Sequence, residues 1–473
     1  MRLAELASAR VAIWGFGREG RAALTALRER LPNQRITVFC SEAEASALQS
    51  RDLSAPSPPT ASAEGEKRLS AALNIVITPP DAAALAQFDI IIKSPGISAY
   101  RSPVPEAAAL GVRFTSGTDL WFAEHPKAHT ICVTGTKGKS TVTALIAHLL
   151  RKSGKCVALA GNIGLPLLEL LDPTAVPDWW VLELSSFQTR DFAGAPTVAV
   201  INNLYEEHLD WHGTRKRYIS DKLAIAAHAR ELVVGAQPEL LALTAAHPQR
   251  RVVGMAEGWY VRDGAIFRAS ERILALAALP LPGMHNAQNV CAALSAIDAA
   301  GEDARAMVHH VATFKPLPHR LQALGERGGI DYVNDSIATT PYATVEALRS
   351  MAGRATTVLV GGFDRGVEWN IFVDYVSKYP PHAIVTLGAN GPAITTALRR
   401  IDAPGFVLQS AQSLDEACAR ARALTPAGGT ILLSPGAPSF DQFRDYAERG
   451  REFARVAGFD PTQITQIEGC GIA

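Results

Sequence analysis

The sequence predicts an α/β protein of three domains: a Rossmann-like N-terminal domain, a central P-loop ATPase domain with a mostly parallel sheet, and a Rossmann-like C-terminal domain. Three observations point there. A chain of 473 residues has room for roughly three domains. Two apolar, strand-like runs, at residues 11–14 and 131–133, each lead through a glycine-rich turn into a helix-like stretch. Three more apolar runs in the last third end in Gly or Ser-Pro-Gly, which puts backbone amides at the carboxyl edge of a parallel sheet. The segments are drawn at 1–116, 117–317 and 318–473.

In the first segment Val11-Ala12-Ile13-Trp14 reads as a strand. Gly15-Phe16-Gly17-Arg18-Glu19-Gly20 then fits G-x-G-x-x-G before a helix from Arg21. Such glycines suit close approach to a phosphate, or simply a helix packing on a strand, and both readings stay open. Residues 36–39 and 89–93 are the next strands, the second ending in Ser94-Pro95-Gly96-Ile97. Between them the Ser- and Pro-rich stretch from Ser54 to Ser62 reads as a mobile loop. Cys40-Ser41-Glu42 follows the second strand, and a ribose contact by Glu42 keeps NAD among the alternatives.

The middle segment holds the strongest signal. Ile131-Cys132-Val133 leads into Thr134-Gly135-Thr136-Lys137-Gly138-Lys139-Ser140-Thr141, and a helix-like run follows from Val142. Backbone N–H groups and the positive end of a helix dipole cradle an anion at such a junction. Lys139 would reach the β- and γ-phosphates of a nucleotide, and the Ser140 hydroxyl would hold Mg²⁺. Only two residues separate Gly135 from Gly138, where the usual loop has four. Further on, the apolar run from Trp180 carries Glu183, a carboxylate placed to orient Mg²⁺ or its waters. The run from Val198 leads to Glu206-Glu207-His208-Leu209-Asp210, where His208 suits a metal, a substrate or a purely structural contact. In the last segment, strands end at Gly361-Gly362, at Gly388 and at Ser434-Pro435-Gly436.

Composition narrows the classes. Lys+Arg and Asp+Glu number 46 each, so net charge points to neither nucleic acid nor a membrane surface as partner. At 48% hydrophobic and 19% charged residues the chain suits globular cores and not disorder. No apolar run is long enough to span a bilayer, and the N-terminus runs into a strand and not a signal-peptide core. Six scattered cysteines without C-x-x-C argue against zinc or a disulfide framework. The expectation is a cytoplasmic protein, and a monomer for want of an exposed apolar repeat.

The motifs stand in a telling order. The loop at 135–141 is followed by Gly161-Asn162-Ile163-Gly164, Leu182-Glu183-Leu184-Ser185-Ser186-Phe187-Gln188, Glu207-His208-Leu209-Asp210 and Asp221-Lys222-Leu223. Then come Gly283-Met284-His285-Asn286, Leu317-Pro318-His319-Arg320, Asn334-Asp335-Ser336, Gly361-Gly362-Phe363-Asp364-Arg365 and Leu433-Ser434-Pro435. In this order they resemble the Mur ligases of peptidoglycan synthesis over nearly the whole chain. The tail, Ser439-Phe440-Asp441-Gln442-Phe443 with Glu448 to Phe453, resembles their glutamate-adding branch.

The resemblance implies an ATP-dependent amide ligase that phosphorylates the carboxylate of UDP-N-acetylmuramoyl-L-alanine and lets the amine of glutamate displace phosphate. It implies ATP and Mg²⁺ as cofactors. Carried over position by position, Gly135, Thr136, Lys137, Gly138, Lys139, Ser140 and Thr141 would hold ATP together with Asn289, Arg320 and Asp335. Lys139, Glu183, His208, Lys222 and Arg320 would carry the catalysis. Ser140, Glu183, His208 and Lys222 (once carbamylated) would hold the metal. The UDP substrate would meet Gly15, Phe16, Gly17, Arg18, Glu19, Ser41, Ser94 and Gly96 in the first domain, and Asn162 and His208 in the second. Thr339, Arg365, Ser439 and Tyr446 would receive glutamate.

The departures cluster at the acceptor end. Ile337 and Arg365 stand where the glutamate-adding branch has lysines, and Tyr446 where it has Phe. A guanidinium makes a wider, forked contact with a carboxylate than an ammonium does. The expectation is therefore an L-glutamate acceptor, with D-glutamate as the alternative. A nicotinamide dehydrogenase would leave the second phosphate loop unexplained. A folylpolyglutamate synthase-like ligase would not need the N-terminal domain. A non-catalytic binding module would not need Lys139, Glu183, His208 and Lys222 together.

Overall fold

Five short apolar runs build the first sheet of the computed structural model: β1 (Val11–Trp14), β2 (Ile36–Phe39), β3 (Leu73–Val76), β4 (Ile90–Lys93) and β5 (Arg113–Thr115). They lie parallel in the order β3-β2-β1-β4-β5, one half of a doubly wound nucleotide-binding fold. The helix Arg18–Arg30 buries Ala22, Ala23, Ala26 and Leu27, the three- and four-residue spacing of one helix face. Gly20 lets this helix approach β1, since a Cβ there would run into the Gly15 carbonyl oxygen. Gly20→Ala is expected to cost about 1–3 kcal/mol, read as a lower first thermal transition of the full chain. The described residues are 1–42, 44–46, 48, 73–281, 283–462, 464 and 470–473; the Ser54–Ser62 stretch lies outside them.

The second sheet contains β6 (Thr130–Thr134), β7 (Val157–Gly161), β8 (Trp179–Glu183), β9 (Val198–Ile201), β10 (Glu231–Gly235) and β11 (Arg250–Val253), with β21 (Gly471–Ile472) at its edge. The order is β11-β10-β9-β6-β8-β7-β21, parallel except for β21. Every residue of β6, β7 and β8 is buried, because helices cover both faces. The chain reverses direction across the sheet on either side of β6, and ligands bind at such switch points beyond the carboxyl ends of the strands. A small antiparallel sheet follows, of β12 (Trp259–Arg262), β13 (Ala265–Arg268) and β14 (Glu271–Ala275).

The fourth sheet holds β15 (Gln322–Arg327), β16 (Ile330–Asn334), β17 (Thr356–Val360), β18 (Ala383–Thr386), β19 (Val407–Ser410) and β20 (Thr430–Leu433), in the order β15-β16-β20-β17-β18-β19. Only β15 is antiparallel to its neighbour. The three-domain α/β class read from the sequence is therefore the observed one. By their contacts the residues gather into two units. The first takes in Met1–Leu279, His285–Phe314 and Gly469–Ala473, and so holds the first two sheets and the small antiparallel one. The second takes in Pro280–Met284 and the stretch from Lys315.

Two details differ from the sequence reading. The segment 318–473 does not end in its own domain: Gly471 and Ile472 pair with Leu159 and Ala158 of β7, satisfying an edge that would otherwise lack a partner. The helix after the phosphate loop starts at Lys139 and not at Val142, because the left-handed Gly138 turns the chain directly into it. No helix among the described residues is long and apolar enough to cross a membrane.

Candidate active site

The phosphate loop leaves β6 and turns on two glycines. Gly135 (φ 141°) lies so close to the next strand that a Cβ would stand 3.0 Å from Asn202 Cβ. Gly138 (φ 81°) sits against Asn289, whose Oδ1 a Cβ would strike. Asn203, beyond β9, braces the loop: its Oδ1 accepts from Thr136 N–H at 3.1 Å and Lys137 N–H at 2.8 Å, and its Nδ2 donates to the Lys137 carbonyl at 3.1 Å. The Thr136 hydroxyl lies 2.7 Å from the Tyr218 hydroxyl. Lys139 opens the helix Lys139–Lys152 and its Nζ donates to the Thr136 carbonyl at 3.0 Å. Ser140 and Thr141 follow in the first turn, both buried. Gly138→Ala is expected to abolish nucleotide binding, measured by titration with MgADP, because strain and the clash with Asn289 fall in the cradle itself.

One strand away, β8 ends in Glu183, 1% exposed. Its Oε1 accepts from Asn162 Nδ2 at 2.6 Å, while its buried Oε2 has no hydrogen-bond partner among the described residues. A buried carboxylate oxygen without a partner is costly unless a cation meets it. Mg²⁺ takes one or two carboxylates, substrate phosphates and waters, so Glu183 with the Ser140 hydroxyl fits this ion without a dedicated cage. No group of three or more His, Cys, Asp or Glu suited to a metal occurs among the described residues.

Lys222 lies on the helix Arg215–Leu223, only 2% exposed, and its Nζ donates to the Gly135 carbonyl at 2.8 Å. Burial, then repulsion from Lys139, holds its ammonium well below the usual lysine range. The unfolded chain therefore binds a proton that the folded one does not, between that depressed value and 10.5. Stability rises with pH across this window, and Lys222→Met should flatten the rise in thermal midpoint. His208 takes a left-handed conformation (φ 57°) and is half-exposed, with Nε2 3.7 Å from Glu207. Burial lowers its pKa, with Lys139 and Lys222 adding to the effect and Glu207 opposing it. Glu207 also pairs with Lys137 at 2.8 Å.

In the first sheet Gly15 (φ 87°) and Ser94 touch: Ser94 Oγ donates to the Gly15 carbonyl at 2.9 Å. Gly17, Arg18 and Gly96 are exposed. The Phe16 side chain is buried in the core, which leaves only its backbone for a ligand. Glu19 faces Gly117, and burial raises its pKa to about 7. Ser41 gives its N–H and hydroxyl to Glu44, at 2.9 and 3.0 Å.

The second unit holds Arg320, Asp335 and the acceptor-end residues. Asp335 follows β16, accepts from Ser434 Oγ at 2.8 Å and Leu321 N–H at 3.1 Å, and is pushed by burial up to about 7. Thr339 is half-buried, Ser439 buried, and Arg365 and Tyr446 exposed. The sequence reading missed Arg449, the residue that braces this end. It is 2% exposed and donates to Ser336 Oγ (3.1 Å), the Ser336 carbonyl (2.9 Å), and the carbonyls of Ala437 (2.9 Å) and Pro438 (3.2 Å). Ser336 Oγ in turn donates to the Tyr446 carbonyl at 2.8 Å. The run from Glu448 to Phe453 resembles the glutamate-adding branch as a motif and assigns Arg449 no role of its own; the glycine after Arg449 is the available signal.

A phosphate loop on the switch strand, with a buried acid beside it, defines an α/β enzyme that works on a nucleotide's terminal phosphates. Residues 133–297 match the family described as Mur ligase middle domain. A UDP-N-acetylmuramoyl-L-alanine–L-glutamate ligase of Xylella fastidiosa (strain Temecula1) is 49% identical over the full length of both chains. One of Salinispora tropica is 37% identical over 96% of this chain and 99% of its own. Among solved structures, the UDP-N-acetylmuramate-alanine ligase MurC of Thermotoga maritima superposes with a TM-score of 0.59 at 19% identity, covering 95% of this chain and 99% of that one. The chain belongs to the Mur ligase family, ATP-dependent and ADP-forming amide ligases of cell-wall precursor synthesis.

Proposed function

We propose that this enzyme joins L-glutamate to UDP-N-acetylmuramoyl-L-alanine in the cytoplasm, through an acyl phosphate. The observation that carries the handedness is the contrast between the two ends of the site. The nucleotide cradle keeps Lys139, Ser140, Glu183, His208 and Lys222, while Ile337, Arg365 and Tyr446 depart from the glutamate-adding pattern where the acceptor would bind. Relatives 37% and 49% identical over almost their whole lengths bear the L-glutamate name. The domains would divide the work: 1–116 for the UDP substrate, 117–317 for ATP, and 318–473 (less the β21 strand) for the amino acid.

A carboxylate resists attack by an amine because its leaving group is poor. In the proposed reaction a carboxylate oxygen of the alanyl group attacks the γ-phosphorus of ATP, and ADP leaves. The glutamate amine then adds to the acyl carbon, loses a proton, and phosphate departs. Negative charge spreads over phosphoryl oxygens, so a cation and fixed donors serve the transition state. Lys139 and the loop amides would hold the phosphates. Glu183 and Ser140 would hold Mg²⁺, which supplies charge neutralisation when bound. Asn289, against Gly138, would flank the nucleotide, and the family resemblance gives Arg320 a phosphate contact and Asp335 a ribose contact.

Lys222 would serve as a carbamate. A buried amine held neutral can add to CO₂, turning a cation into a carboxylate-like ligand, while its remaining N–H keeps the Gly135 contact. Enzyme equilibrated with ¹³C-bicarbonate should show a carbamate carbon signal that Lys222→Arg lacks; an unchanged spectrum would end this assignment.

The deciding experiment is phosphate release from ATP with UDP-N-acetylmuramoyl-L-alanine and either glutamate enantiomer. Release with L-glutamate alone is expected. Release with D-glutamate alone would reverse the handedness and make the three substitutions neutral variation.

A further inference from the structure

Next to the proposed metal carboxylate lies a chain of four buried or half-buried side chains that the reaction as described does not use. His212, 0% exposed, places Nδ1 2.6 Å from Asp221 Oδ2 and Nε2 3.0 Å from Ser186 Oγ. The Tyr100 hydroxyl donates to the other oxygen of Asp221 at 2.7 Å. Serine, histidine and aspartate in this order suggest a hydrolytic triad. Burial excludes it, because Ser186 is 2% exposed and no substrate reaches its hydroxyl. With Asp221 accepting from Nδ1–H, Nε2 accepts from the Ser186 hydroxyl, and each polar group of the imidazole is satisfied.

What the chain connects is more informative than its chemistry. Ser186 opens the short helix three residues after Glu183. Asp221 immediately precedes Lys222 on its helix. Tyr100 belongs to the loop that follows Ser94 and Gly96 at the end of β4. That loop is tied to the same region twice more: Ser98 Oγ donates to the Trp211 carbonyl at 2.6 Å, and Trp211 Nε1 donates to the carbonyls of Pro95 (3.1 Å) and Gly96 (3.2 Å). Phe187 stacks on the His212 ring with centroids 5.6 Å apart, sealing it.

We propose that His212 is a positioning residue: through Ser186 and Asp221 it sets Lys222 relative to Glu183, and through Tyr100 it locks both to the loop that meets the UDP substrate. The inference rests on the ligase reading. Its purpose is registration, since a displacement of about 1 Å at a reacting group can cost on the order of 10²-fold in rate.

The test is steady-state kinetics of Ser186→Ala, Ser186→Thr and Tyr100→Phe, with thermal midpoints measured alongside. Ser186→Ala should lower kcat about 10-fold or more while KM for ATP stays within about twofold, and Ser186→Thr, which keeps a hydroxyl, should recover most of the rate. Tyr100→Phe should lower kcat and raise KM for the UDP substrate together. Lower thermal midpoints with wild-type kcat in Ser186→Ala and Tyr100→Phe would reduce the chain to core packing and overturn the proposal. Wild-type enzyme that turns over neither enantiomer of glutamate would instead remove the ligase reading, and this inference with it.

Discussion

Replacing Lys139 by methionine leaves the fold intact and slows phosphate release by on the order of 10³-fold. Its ammonium holds the Thr136 carbonyl at 3.0 Å at the mouth of the helix, where the backbone dipole already attracts anions. Methionine keeps the length and the packing and removes only the charge proposed to meet the γ-phosphoryl oxygens. The loss should fall on kcat, because those oxygens gain charge on the way to the transition state. The check is single-turnover phosphate release beside MgADP affinity. A large loss of affinity with unchanged kcat would show Lys139 to be a binding group only.

Glu183→Gln is expected to cost 10²- to 10³-fold in kcat and to raise the Mg²⁺ concentration needed for half-maximal activity at least about tenfold. The amide retains an acceptor for Asn162, so the strand end keeps its 2.6 Å contact, while the partnerless Oε2 is replaced by a neutral group. Thermal midpoints separate this from unfolding. Without Mg²⁺ the variant should melt no lower than the parent, since it buries no unpaired carboxylate oxygen. With MgADP at about 100 times its dissociation constant the parent gains about 2.7 kcal/mol, and the variant much less. An undiminished gain in the variant would place the ion elsewhere.

How much of this was visible in the chain follows from sequence distance. The buried parallel strands around β6 and β20 are unbroken apolar runs, and Gly138 announces a left-handed turn before a helix. These are local facts, so composition carries them. The sheet β12–β14 was missed because Arg262, Arg268, Glu271 and Arg272 interrupt its apolar residues. Arg449 was missed because its four acceptors lie on loops around Ser336 and Ala437, and nothing in a charged helix tells that one guanidinium turns inward. His212 was passed over likewise: its partners Ser186 and Asp221 stand on other helices, and only folding brings a histidine of the Leu209–His212 turn between them. Glu183 is legible as a carboxylate on an apolar strand near the phosphate loop, whereas the role of Lys222 comes from family resemblance alone; the burial of both supplies a physical reason for each proposed role. For the first domain, resemblance named Phe16 as a ligand contact where the fold spends its ring on the core.

The pairing of β21 with β7 also matters while the chain is being made. β7 is complete once residue 161 has left the ribosome, but the strand that covers its free edge comes about 300 residues later. For tens of seconds at bacterial elongation rates the nascent central sheet would display an apolar strand whose backbone groups lack a partner. Arg151, which bridges the Val157 and Gly471 carbonyls at 2.6 and 3.1 Å in the finished protein, already stands beside that edge with a charge. A cation there discourages another strand from pairing before the proper one arrives, so the edge of β7 is guarded until a strand about 300 residues further along the chain closes it.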